Sequence, residues 1–206
     1  MHPNPVFHDR STEDNLAFAR ARAFGVLSVN GQDGPMLSHI PFQLSEDGRR
    51  IEAHLVRSNP IARALGEPLR AVLAVSGGDA YVSPDWYGID DQVPTWNYVA
   101  VHLRGTLERL PDEELRGILE RLSAAMEGRL SPKAPWKLDK LDGETYAKLS
   151  RMIVPVTFSV ESVDGTWKLS QNKDVPVIEG AVNGLRETGF RSEVAGLADL
   201  MASKIR

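Results

Sequence analysis

Polar caps and alternating apolar positions cut the first half of the chain into short segments. Ser11-Thr12-Glu13-Asp14 places a hydroxyl ahead of acidic residues and predicts a short helix to about Arg22. Phe24-Gly25-Val26-Leu27-Ser28-Val29 reads as a strand, with Gly31-Gln32-Asp33-Gly34 as its turn. Met36 to Leu44 predicts a second strand, Ser45-Glu46-Asp47-Gly48 another turn, and Ile51 to Val56 a third strand. This is the rhythm of an antiparallel meander. Asn59-Pro60 opens a short helix, because asparagine caps and proline suits the first helical position. Leu69 to Val75 and Ala80 to Ser83 predict two strands separated by Ser76-Gly77-Gly78-Asp79.

A longer loop, Pro84 to Thr95, leads into a long strand from Asn97 to Leu107 that alternates Val99, Val101 and Leu103 with Tyr98, Ala100, His102 and Arg104. Leu115, Ile118, Leu119, Leu122 and Met126 then recur at helical spacing after Pro111-Asp112-Glu113-Glu114. Glu144 to Arg151 reads as a further helix, and Met152 to Ser159 and Thr166 to Leu169 as a last pair of strands. Helical patterns around Leu185 and around Leu197, Leu200 and Met201 close the chain, with Gly189 between them. Six or seven hairpin-connected strands with peripheral helices predict a mainly β, antiparallel barrel. The pattern does not suggest a doubly wound sheet, because the first half lacks strand–helix alternation. The expected organisation is a single domain over 1–206 with a helical C-terminal extension at about 177–206.

Composition narrows the chemistry. The 206 residues are 42% hydrophobic and 25% charged, with 24 Lys+Arg, 28 Asp+Glu and no cysteine. Thiolate catalysis, disulfides and cysteine-based metal sites are therefore excluded. A net charge of −4 argues against the basic footprint of a nucleic-acid binder, so direct DNA binding is not expected. The polar start, Met1 to Arg10, has no apolar core of a signal peptide, and the apolar run Leu69 to Val75 is too short to span a bilayer. The expectation is a cytoplasmic protein without a membrane partner. His2, His8, His39, His54 and His102 form no metal-ligand spacing, and none of the GxSxG, P-loop or GxGxxG motifs occurs.

Three local features carry candidate chemistry. Arg57-Ser58-Asn59-Pro60 puts a guanidinium and a hydroxyl before a capped helix, which suits a phosphate or is simply a cap beside a solvated arginine. Tyr81, Trp86, Tyr87, Trp96 and Tyr98 crowd one stretch and either stack on a planar ring or build a satellite core, with Asn97 and His102 as polar handles. Lys168-Leu169-Ser170-Gln171-Asn172-Lys173 could bind an anion or the polar edge of a heteroaromatic ring, or form an exposed turn.

Four blocks in order resemble one family: His54-Leu55-Val56-Arg57-Ser58-Asn59-Pro60, Ala80 to Tyr87, Val93 to His102 with its VPTWNY string, and Lys168 to Asn172. His2-Pro3 through Phe7 fits the same family's opening. The chain is similar to the PaiB-type proteins, described as FMN-binding negative transcriptional regulators. That resemblance implies a flavin-type split β-barrel, like that of pyridoxamine-phosphate oxidases, with FMN at a homodimer interface. It makes Arg57, Ser58 and Asn59 candidates for the phosphate and Trp96, Asn97 and Tyr98 candidates for the site wall. Lys168 and Gln171 would approach from the partner chain. Two departures stand out: Ser58 replaces a frequent alanine, and Ser76-Gly77-Gly78 replaces a more hydrophobic turn. The implied function is an FMN-binding regulator acting indirectly. The alternative is an FMN-dependent oxidoreductase or flavin reductase, in which the flavin carries the redox chemistry.

Overall fold

Alternation decides the strands. Along the first, Gly25, Leu27 and Val29 are buried while Phe24, Val26 and Ser28 face outward, the period of two that a half-covered sheet requires. In the computed structural model, which describes residues 1–188 and 193–204, this strand (β1, Phe24–Gly31) follows helix α1 (Thr12–Arg22) and pairs antiparallel with β2 (Gly34–Pro41). The remaining strands are β3 (Gln43–Leu44), β4 (Arg50–Val56), β5 (Leu69–Val82), β6 (Thr95–Arg109) and β7 (Ile153–Lys168). The helices are α2 (Pro60–Ala64), α3 (Leu115–Glu127), α4 (Gly143–Ser150), α5 (Val175–Thr188) and α6 (Val194–Ala202). The seven strands form one sheet in the order β2-β1-β5-β6-β7-β4-β3. Gly189, expected between the last two helices, lies outside the described residues.

Contacts divide the chain into two units. The larger comprises Leu16–Val75 and His102–Val163. Its pairings are antiparallel: Val26 opposite Ala74 between β1 and β5, Leu44 opposite Ile51 between β3 and β4, and Leu55 opposite Val154 between β4 and β7. Leu27, Phe42, Ile51, Leu55, Leu73, Leu103, Leu107 and Phe158 are all but inaccessible and form its core. The face of α3 with Leu115, Ile118 and Leu122 is buried. Arg121 of α3 forks onto Glu52 of β4 at 2.7 and 3.0 Å and fixes the helix on that strand.

The smaller unit comprises Met1–Asn15, Ser76–Val101 and Asp164–Arg206. Its core joins Val82, Val99 and Val101 with Ile178, Ala181 and Leu185 of α5 and Leu197, Ala198 and Met201 of α6. The aromatic loop ends in this packing: a Cβ on Gly184 of α5 would lie 2.3 Å from the Trp86 indole. Asn15 is 5% exposed, accepts from the Trp167 indole N–H at 2.8 Å and donates to the Ser11 carbonyl at 3.0 Å.

Three strand boundaries differ from expectation. β5 runs unbroken through Ser76-Gly77-Gly78-Asp79. The glycines there make room: a Cβ on Gly78 would lie 3.1 Å from the Glu193 carbonyl and 3.5 Å from Leu197 Cβ at the start of α6. β7 likewise replaces the expected final pair of strands with one continuous strand. Its polar middle is held by the hydrogen-bond ladder, a tertiary contribution that side-chain pattern does not register. The strand expected over Met36 to Leu44 breaks after Pro41, where Phe42 turns fully inward and its N–H bonds the Ala23 carbonyl at 3.0 Å.

Candidate functional site

In the larger unit, β4 ends at Val56 and a turn presents Arg57 and Ser58. Asn59 caps α2 by accepting the Ile61 N–H at 2.9 Å, and donates to the Ser38 hydroxyl of β2 at 2.9 Å. The turn is thereby tied to the outer strand. α2 has only five residues, so its N-terminus contributes little to an anion site. The Arg57 guanidinium is held instead by the Arg151 and Ile153 carbonyls, at 3.0 and 3.1 Å, and by Asp112 at 3.1 Å. Asp112 also accepts from Arg109 at 3.0 Å. Arg109, and after it Arg57, holds the Asp112 carboxyl below its usual range. Arg57 and Arg109 share this one carboxylate, and the Arg57 side chain keeps 42% of its surface accessible. An oriented, accessible arginine beside the exposed Ser58 suits a phosphate monoester.

The outward face of β1, β2 and β5 carries exposed apolar side chains. Phe24 is 54% and Leu37 61% exposed. Val26, Val72 and Ala74 share that face by register, together with the polar Ser28 and His39, since Val26 pairs with His39 and Ala74 and Ser28 pairs with Leu37 and Val72. On β4, His54 is half-buried, its Nδ1 lacks a partner, and burial lowers its pKa.

The other candidates lie in the smaller unit. Trp96 is 40% exposed, its indole N–H donates to Asp79 at 3.1 Å, and Tyr81 meets its ring edge-on at 6.3 Å. Tyr98 is half-buried on the same strand. Asn97 points the other way and is wholly buried, with its amide N–H donating to Ser170 at 2.9 Å. The Lys168 ammonium donates to the Thr95 hydroxyl and to the Trp96 carbonyl at 2.8 Å. Gln171 has both ends of its amide engaged within the chain: it accepts from the Leu169 N–H and donates to the Val6 and Trp167 carbonyls. Asn97 and Lys168 line one small cavity, together with Ser170, Tyr87 and Lys173. Sequence reading named the string holding Lys173 but assigned that residue no role. Asp112 and Arg109, which orient Arg57, carried no signal at all, being distant in the chain and ordinary surface charges by type.

Among the described residues no helix is long and apolar enough to cross a membrane. Residues 1–162 match the family model described as "Putative FMN-binding domain". Over 208 aligned residues the chain is 27% identical to the protease synthase and sporulation protein PAI 2 of Bacillus subtilis, covering 100% of this chain and 99% of that protein. The fold is similar to that of the FAD and heme binding protein from Mycobacterium smegmatis, with TM-score 0.55 and 18% identity over 77% of this chain and 71% of that one. It is also similar to the flavocytochrome Anf3 from Azotobacter vinelandii, with TM-score 0.55 and 14% identity over 81% and 72%. At such identities the likeness establishes the fold, which is the split barrel expected from the sequence. This chain belongs to the FMN-binding domain family, among the PaiB-type proteins, and its cofactor is FMN.

Proposed function

We propose that the chain works as an FMN-loaded homodimer whose regulatory effect is exerted without reading DNA directly. The observation that carries the dimer is the exposed apolar side chains on the outward face of β1, β2 and β5. Phe24 and Leu37 are more than half exposed on it, and soluble monomers rarely leave such a face uncovered. A second copy would cover it, and the same face gives the isoalloxazine ring an apolar floor. Arg57 and Ser58 would take the phosphate, since the Asn59–Ser38 bond brings their turn to β2. FMN, when bound, supplies electron-transfer chemistry. The residues named here bind it, orient it and exclude water from it.

Indirect regulation is supported by the charge on the last helices. α5 carries Glu179, Arg186 and Glu187, and α6 carries only Asp199, which pairs with Arg186 at 2.6 Å. Neither resembles a basic recognition helix. A dimer would double the chain's charge of −4 and repel DNA phosphates.

Leu37→Arg tests the dimer. The variant should run as a monomer by light scattering, keep its far-ultraviolet circular dichroism and lose most of its FMN affinity by fluorescence titration. A variant that stays dimeric, or a monomer that binds FMN as the parent does, would overturn the arrangement. For the regulatory reading, mobility-shift assays with the FMN-loaded protein and fragments of duplex DNA should show no shift at physiological salt. A shift whose strength falls steeply with salt would be direct binding and would sink the indirect route.

A further inference from the structure

We infer that the small cavity of the smaller unit is a binding site for a small oxyanion carrying its own O–H donor, with free hydrogen phosphate as the fitting example. The cavity has a volume of about 150 Å³. That is well below the ~300–1,000 Å³ of pockets that enclose cofactors, and room for about five waters or one small anion.

Its wall is cationic. Among the described residues lining it are Lys168 and Lys173 and no Asp or Glu. Lys168 donates to the Thr95 hydroxyl and the Trp96 carbonyl, and Lys173 donates to Gln92 and lies 5.0 Å from the centre of the Tyr87 ring. These partners are neutral, so they orient the ammonium groups without compensating their charge. Burial lowers the Lys168 pKa, which is the cost of a cation removed from water without a counterion. An anion between the two lysines removes that cost.

Asn97 says which anion. It is 0% exposed, and its carbonyl oxygen has no hydrogen-bond partner. Its amide N–H donates to the Ser170 hydroxyl, which in turn bonds the Tyr87 hydroxyl. With the amide N–H turned to Ser170, the carbonyl of Asn97 points away from it. The leftover carbonyl can only accept. Ser170 is itself buried with φ at +62°, a left-handed conformation unfavourable for a residue with a side chain, and the Gln171 amide clamps the backbone just before it, at the Leu169 N–H and the Trp167 carbonyl. The relay is thus held in place at a conformational cost that neighbouring bonds offset.

A ligand that satisfies the site presents negative oxygens to Lys168 and Lys173 and one O–H to Asn97. Hydrogen phosphate does this. Sulfate, of like size and charge, has no O–H at neutral pH. The phosphate ester of FMN, whose second ionisation falls near pH 6, is largely without one as well.

Titration calorimetry on the full chain at pH 7.5 tests this, with inorganic phosphate and with sulfate, in the presence and absence of saturating FMN. Phosphate should bind, and sulfate should bind at least about tenfold more weakly, the value of one hydrogen bond between a charged and a neutral group. FMN should leave the phosphate affinity unchanged. Lys173→Gln, which removes the charge at a half-buried position and keeps a polar side chain there, should weaken phosphate at least about tenfold while the urea midpoint of the unliganded protein stays put. No phosphate binding, equal binding of sulfate, or an unaffected Lys173→Gln variant would each overturn the inference. Competition between phosphate and FMN would overturn it differently, by assigning the cavity to the phosphate of the cofactor.

Discussion

Gly105→Ala should cost about 3 kcal/mol or more of stability, measured as a fall in the urea midpoint at unchanged slope. Gly105 is buried on β6, and a Cβ there would lie 1.8 Å from the Ser159 carbonyl oxygen and 2.9 Å from its carbon. Both atoms are backbone of β7, the strand next to β6 in the sheet. A flexible side chain could turn away from one methyl group, but here either a ladder must open or the strand must move. Because the protein interior is close-packed, that movement propagates into Phe158, whose ring is 3.3 Å from the same Cβ position. Gly196→Ala is the matched control. Gly196 lies in α6 with nothing within 4 Å of its Cβ position, so alanine should stabilise by about 0.5–1 kcal/mol through helix propensity. Equal effects at the two positions would show that the close approach of β6 and β7 is not what requires glycine.

Arg57→Ala should raise the Kd for FMN about 10- to 100-fold, the value of one charge-assisted bond to phosphate. The same arginine fastens the end of β4 to the Arg151 and Ile153 carbonyls, so stability will fall as well. Two measurements separate the roles. Urea unfolding of the apoprotein reads the fastening, and flavin fluorescence titration reads the phosphate contact. Arg57→Lys keeps the charge but cannot fork onto two carbonyls and Asp112 together. It should recover part of the FMN affinity while remaining destabilised. If Arg57→Ala binds FMN as the parent does while its unfolding midpoint falls, Arg57 is a fastening only and the phosphate lies elsewhere.

Most elements could be read along the chain because each is announced within a few residues. The Asn59-Pro60 start of α2, the Gly31-Gln32-Asp33-Gly34 turn and the 3.6-residue spacing of α3 all depend on neighbours in sequence. The misreadings share one cause. Ser76-Gly77-Gly78-Asp79 has the composition of a turn, yet it stays extended because α6 approaches it from more than a hundred residues away. Pro41-Phe42 looks like the middle of a strand, yet the core takes Phe42 and ends it.

Candidate residues divide in the same way. Residue type and the family blocks pointed to Arg57, Ser58 and Asn59, to Trp96, Asn97 and Tyr98, and to Lys168 and Gln171. Only the tertiary structure assigned the first three to one unit and the others to another. It also turned Gln171 inward as a clamp, gave Arg57 its partners Asp112, Arg151 and Ile153, and enclosed Asn97 with two lysines around one cavity. The sequence by itself determined the mainly β architecture, the absence of thiol chemistry, the acidic charge and the flavin-binding family. What it could not determine is which polar groups remain unsatisfied. That depends on how many donors and acceptors reach a buried atom in three dimensions, and residues such as Asn97 and Ser170, 73 positions apart, meet only when the chain is folded.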